Sequence, residues 1–195
     1  MDDQIITPLD VAIQILSRQD TDYTLHFSKY NIAKPGSQYQ QPREVVPVER
    51  RDFGIPWINH QINSLTDYQE LTWNSNIKTS NMEYHVPMID FEVGIDNDLL
   101  KYALNNLTKE LDLQELWCFK SGRSYHAYGL PLLSLQDWYS YLGKLLTLPS
   151  IFPAIDTRWI GHSLRRGYSA LRWSHKTTRY RQLPTFYHYE KIIGG

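Results

Sequence analysis

Two short patterns in this sequence bring together side chains capable of phosphate chemistry. The first is Asp90-Phe91-Glu92, which follows the apolar residues Met88 and Ile89. In an extended strand alternate side chains share a face, so Asp90 and Glu92 project together, about 7 Å apart along the backbone. Neighbouring carboxylates repel unless a cation lies between them. Mg²⁺ or Mn²⁺ takes one or two protein carboxylates and leaves positions open for phosphate oxygens. The second pattern is Ser124-Tyr125-His126, with the same period of two, entered through the glycine turn Ser121-Gly122-Arg123. Each pattern alone has a plainer reading: alternating acids are usually the wet face of a strand, and a strand histidine is more often structural than a ligand. Their conjunction across a helix and a glycine turn points to one shared site.

In this order the motifs resemble those of the archaeo-eukaryotic primase superfamily, which includes the primase-polymerases. That family carries an Asp-x-Glu-type motif, then Ser-x-His, then a single acid, which here matches Asp156 in Ile155-Asp156-Thr157. Ser169-Ala170-Leu171-Arg172-Trp173-Ser174 resembles the basic strand after the third acid, and Arg51-Asp52-Phe53-Gly54 is similar to an Arg-Glu-Phe-type motif. The resemblance covers residues 50–176. It implies an α+β fold, one primase-polymerase-like domain over 1–195, with an N-terminal α/β unit (1–80) packed on an RRM-like sheet-and-helix unit (81–195).

The activity implied is template-directed addition of nucleotides to a nucleic-acid 3′ end. In that reading Asp90, Glu92 and Asp156 are catalytic and hold two Mg²⁺ or Mn²⁺ ions. Arg123, Ser124, His126, Arg172 and Arg51 contact the nucleoside triphosphate, and Arg165 and Arg166 contact the template or primer backbone. Arg51 also has the simpler role of a strand end with a salt bridge, and Arg165 and Arg166 that of a solvated turn before Gly167. The implied partners are nucleic acid and nucleoside triphosphates, with other replication or repair proteins as further candidates. Two other classes stay open: a catalytically silent nucleotide- or nucleic-acid-binding module, and a metal-dependent nuclease using Asp90, Glu92 and Lys120.

Composition bounds these readings. The chain has 195 residues, 42% of them hydrophobic, enough to bury a substantial core. Cys118 is its only cysteine, so neither a disulfide framework nor a cysteine-rich zinc module can be built, and primer extension is expected more than unaided initiation. No apolar run reaches membrane-spanning length and the first residues do not read as a secretory signal, so no membrane association and a cytoplasmic setting are expected. The net charge is −1, yet residues 155–195 hold eight Lys and Arg against two acids. Aromatic residues are interleaved with them, a mixture suited to phosphates and stacked bases.

The elements that must position these groups are legible in part. Thr7 and Pro8 open a helix whose positions Leu9, Ala12, Ile13 and Leu16 share a face. Tyr23 to Phe27 alternates as a strand, and 33–42 reads as an exposed loop. The polar stretch 59–80 carries no assignable pattern. Residues 83–93 read as one strand, with Pro87 marking an edge or bulge. A helix beginning at Asp96 or Asp98 buries Leu100, Ala103, Leu104, Leu107 and Leu111, and strands follow at 116–120 and 124–129. Ser134 with Asp137 caps another helix, whose Leu135, Trp138, Leu142, Leu145 and Leu146 are expected to face the core before Pro149 and Pro153.

Overall fold

The structure, a computed structural model, describes residues 7–19, 22–32, 43–92, 94, 97–148, 155–175 and 182–192. The expected loop at 33–42, Asp96, Pro149 and Pro153 lie outside these residues.

Helix α1 (Pro8–Ser17) starts where expected. Thr7 and Asp10 form a reciprocal capping box, Pro8 occupies the first turn, and Val11, Ala12, Ile15 and Leu16 are buried. Ile13, expected on the same face, is exposed. Strands β1 (Tyr23–Asn31) and β2 (Glu44–Glu49) lead through a single 3₁₀ turn at Arg50–Asp52 to α2 (Ile55–Asn63) and the long β3 (Gln69–Thr79). Strand β3 organises the first sheet. One edge pairs with β1, and the other is shared end to end by β4 (Glu83–His85) and β9 (Ala170–Arg172). Strand β8 (Leu133–Ser134) extends the sheet beyond β4, and β2 lies outside β1.

The second sheet is antiparallel with order β10-β6-β7-β5, from β10 (Thr185–Lys191), β6 (Glu115–Ser121), β7 (Ser124–Leu130) and β5 (Met88–Asp90). Helix α3 (Asn97–Glu110) connects β5 to β6 and buries Leu100, Ala103, Leu104 and Leu107, and the fifth expected position, Leu111, is buried just past its end. Helices α4 (Leu135–Thr147) and α5 (Thr157–Arg166) pack on one another before the chain reaches β9. Leu135 and Leu146 of α4 are exposed, against expectation, while Trp138, Leu142 and Leu145 are buried. Two packed antiparallel sheets with helices give the α+β class that the sequence implies.

The expected strand over 83–93 is two strands in different sheets. Val86 N–H still donates to Ser75 in the first sheet, at 2.8 Å, whereas the Pro87 carbonyl accepts from Gly129 N–H in the second, also at 2.8 Å. The switch falls on proline, which has no amide hydrogen to leave unpaired. A side chain at Gly129 would approach the Glu115 carbonyl and a Leu113 methyl to 3.2 Å, a crowded contact that those neighbours would have to relieve by a few tenths of an ångström. A division at residue 80 does not follow the sheets, because β4, β8 and β9 belong to the first. The sheets are joined by aromatic packing: Trp73 stacks on Tyr128 at 5.4 Å, and Trp173 Nε1 donates to the Tyr128 hydroxyl at 3.0 Å. No described helix is long and apolar enough to cross a membrane.

Candidate active site

Asp90 ends β5 opposite His126 of β7, and His126 Nε2 lies 3.5 Å from Asp90 Oδ1. Asp156 reaches the same place from a distant part of the chain. Phe91 bridges to Ile155, and Asp156 N–H donates to the Asp90 carbonyl at 2.9 Å. The Asp156 carboxylate then caps α5, its Oδ1 accepting from the amides of Arg158 at 2.9 Å and Trp159 at 3.2 Å. Its Oδ2 faces Arg158 Nη2 at 3.5 Å. The cap fixes the carboxylate's position and occupies one of its oxygens.

Glu92 lies just past β5. Its charge reaches Asp90, but it does not share the cavities that Asp90 lines. Ser124 holds this end of the strand: its hydroxyl donates to the Phe91 carbonyl and lies 3.4 Å from the Glu92 carbonyl. The β6–β7 hairpin carrying Ser124 turns through Gly122 and Arg123. Gly122 has φ +70°, the left-handed conformation expected at the first central position of a type II′ turn.

Burial and the charges of Asp156 and Glu92 raise the Asp90 pKa from 3.8 to about 8, with Arg172 and Arg158 opposing. His126 moves the other way: burial, with the Arg172 charge nearby, lowers its pKa from 6.5 to about 3, so its ring is neutral. Its Nδ1 is buried with no hydrogen-bond partner among the described residues. The Arg172 guanidinium is buried as well. It donates through Nη2 to Ser121 Oγ at 2.7 Å and through Nη1 to the Ser174 carbonyl and, at 3.2 Å, the Gln182 carbonyl. This fixes a positive charge within reach of Asp90 and ties β9 to the hairpin.

Asp90 and Asp156 line two adjoining cavities, which also share Arg43, Arg158 and Trp159. One, of about 370 Å³, is walled by Ser121, Gly122, Arg123, Ser124, His126 and Arg172. The other, of about 260 Å³, runs along α5 and is walled by Arg43, Arg158, Trp159, His162 and Arg166. Asp90, Asp156, Arg123, Ser124, His126 and Arg172 therefore come together as the sequence suggests. Arg51 does not. It is exposed, pairs with Glu49 at 2.8 Å, and lines a separate cleft of about 800 Å³ with Arg50 and Lys78. The charged residues of that cleft are exposed, and its plain role as a salt-bridged strand end fits the geometry. Lys120 is exposed and does not line the acidic cavities, so a nuclease site lacks its lysine.

Arg165 and Arg166 form the last turn of α5, not a loose turn, and Gly167 caps the helix at φ +80°. Arg165 is exposed, whereas Arg166 turns into the smaller cavity. Arg43 and His162 were missed by motif reading. His162 was findable: an Asp156 cap starts a helix on which Arg158, His162 and Arg166 recur every four residues on one face. Arg43 carries no local signal, since only β-sheet pairing brings it here.

Among the described residues no three His, Cys, Asp or Glu side chains converge into a ready metal cluster. Asp90 and Asp156 nonetheless present hard oxygen donors at one opening. The proton affinity of Asp90 is raised first by burial and then by the carboxylates of Asp156 and Glu92, and this set of oxygen donors fits Mg²⁺ or Mn²⁺.

A family model described as AEP-like, archaeo-eukaryotic primase 1D-like, matches residues 49–185, a span that includes Asp90, Glu92, Arg123, Ser124, His126, Asp156 and Arg172. No curated protein and no solved structure matches the chain.

Proposed function

Because the chain belongs to the archaeo-eukaryotic primase superfamily through the match over residues 49–185, we propose that it is a metal-dependent nucleotidyltransferase extending a nucleic-acid 3′ end on a template. The observation that carries this reading is the hydrogen bond from Asp156 N–H to the Asp90 carbonyl, which seats two acids from separate motifs at one opening beside Arg172 and His126. Phosphoryl transfer asks a protein mainly for positioning and charge stabilisation. Mg²⁺ or Mn²⁺ held by Asp90 and Asp156 would supply the positive charge that activates the attacking hydroxyl and steadies the departing pyrophosphate.

The chain's own residues do the holding. The larger cavity takes the nucleoside triphosphate. Arg172, fixed by Ser121 and two carbonyls, sets a positive charge in its wall, and Arg123, exposed at the hairpin tip, is placed to meet the outer phosphates. Neutral His126 braces Asp90 from within the same wall. Ser124 clamps the backbone of the acid segment, so the hairpin and the acids move as one piece.

The test is incubation of the protein with a primed template, Mn²⁺ and labelled nucleotides. Extension of the primer supports the reading, and shortening of the strand supports a nuclease. A second reading, a silent binding module, draws on the Asp156 cap, which occupies one carboxylate oxygen; retention of nucleotide and strand without turnover supports it.

A further inference from the structure

The acids line two adjoining cavities, and the proposed reaction joins two substrates. The larger cavity is matched to the nucleotide. The smaller one, along α5, adds His162 and Arg166 to the Arg43 and Arg158 that both share. Arg43, just before β2, places its guanidinium 4.5 Å from the Tyr30 ring centroid and donates to Thr72 Oγ1 at 3.1 Å. Arg166 lies 5.7 Å from the Tyr168 ring centroid, and its Nε is buried with no hydrogen-bond partner among the described residues. His162 stands one turn earlier on the same helix face. Neither arginine has an ion pair with a carboxylate among the described residues.

Two half-buried guanidiniums are thus held on aromatic faces close enough for the charge of Arg43, after burial, to help lower the Arg166 pKa to about 10. Bringing like charges together in a partly desolvated wall is unfavourable unless an anion completes the arrangement. The planar fork of arginine fits phosphate oxygens, and the ring beneath each guanidinium fixes its plane.

We propose that the cavity walled by Arg43, His162 and Arg166 binds the terminal internucleotide phosphate of the strand being extended. The identity of that strand rests on the nucleotidyltransferase reading; the anion site rests on this geometry. The two cavities adjoin at Asp90, Asp156, Arg43, Arg158 and Trp159, which line both, so a phosphate seated against His162 and Arg166 sets the 3′-hydroxyl beyond it beside the acids. Arg165 and Arg158, exposed on α5, continue the positive surface outward along the backbone.

The experiment measures binding of a short fluorescein-labelled single strand by anisotropy, with metal and nucleotide both omitted, so its outcome does not depend on turnover. For the double variant His162→Gln, Arg166→Gln, whose two side chains line the smaller cavity alone, strand affinity falls about tenfold. The salt slope of log affinity drops by about one. Affinity for a nonhydrolysable nucleotide, measured by calorimetry, stays within about twofold, a difference of under 0.5 kcal/mol. In a second arm a neutral methylphosphonate replaces the phosphate at the last linkage of the strand. Wild type loses affinity for it and the double variant does not discriminate. Equal wild-type affinity for native and substituted strands overturns the proposal without reference to any variant, and so does a loss confined to nucleotide affinity. A protein that passes both arms but never extends a primer keeps the phosphate site and loses the nucleotidyltransferase reading. One that extends primers and ignores the substitution does the reverse.

Discussion

Replacing Asp90 by Asn removes a charge that burial and the carboxylates of Asp156 and Glu92 oppose. The pKa of Asp90 is about 8 in the folded protein against an ordinary 3.8, so between these values the folded state holds a proton that the unfolded chain releases. The free energy of unfolding therefore falls as pH rises through this interval and levels off above it. With about 1.4 kcal/mol for each tenfold change in proton affinity, the ceiling on this penalty is about 5–6 kcal/mol. The side chain keeps 24% of its surface open. Water at that opening brings the expected effect down to about 1–3 kcal/mol. The amide keeps the shape of the side chain and still faces His126. In urea unfolding with chelator present, the Asp90→Asn protein should exceed wild type by that amount at about pH 8.5, and the gap should close towards about pH 4. Adding Mg²⁺ or Mn²⁺ should then stabilise wild type and leave the variant unmoved. Equal unfolding midpoints at the higher pH with chelator would refute the burial argument, and with it the electrostatic reason for expecting a cation.

Other outcomes follow from the same geometry. His85 and His126 have pKa values lowered to about 4 and about 3, so the stability they contribute is complete above about pH 6.5 and is lost as pH falls below it; His85→Gln should flatten the acid limb of a urea-midpoint profile. Arg172→Ala leaves the Gln182 and Ser174 carbonyls and Ser121 Oγ without their donor and should cost about 2–4 kcal/mol, so its melting temperature should fall together with a rise in nucleotide KM; an unchanged melt would limit Arg172 to ligand binding. In a primer-extension assay, Asp90→Asn should abolish metal-dependent turnover and Glu92→Gln should reduce it less, because Glu92 lies outside both cavities. Arg51→Gln removes an exposed ion pair and should change stability by less than about 0.5 kcal/mol, with turnover kinetics as in wild type.

The parts of the fold legible in sequence are those set by local chemistry. Thr7 before Pro8 and Ser134 with Asp137 cap helices where the sequence places them, and Gly122 turns the hairpin that carries Ser124 and His126. Strand β3 was illegible because its polar residues are in the core. Glu70, Thr72, Asn74 and Ser75 are buried, and their partners come from distant parts of the chain: Asn74 bonds Ser28 of β1, Glu70 bonds Ser174 just past β9, and Ser75 bonds His85 of β4. Covered on both faces, such a strand shows no alternation of polar and apolar positions. The site divides in the same way. Asp90, Ser124 and His126 were readable from a period of two, whereas Arg43 enters through long-range pairing that no local pattern encodes. Pro87 marks an interruption of the strand, but that the chain passes there from one sheet to the other is set by the distant partners Ser75 and Gly129.

The shared edge of β3 has a consequence for how the protein is made. Its upper half is closed by β4 almost at once during synthesis, but the stretch Thr72–Asn74 waits for β9, some hundred residues later in the chain. Until Ala170–Arg172 emerges, the longest strand of the first sheet exposes unpaired backbone, an edge open to pairing with other chains. The strand that closes this gap is the one that carries Arg172 into the wall of the larger cavity. Completing the sheet and charging the site are thus a single event, and a chain arrested before β9 has neither a finished fold nor a fixed cation with which to engage a substrate prematurely.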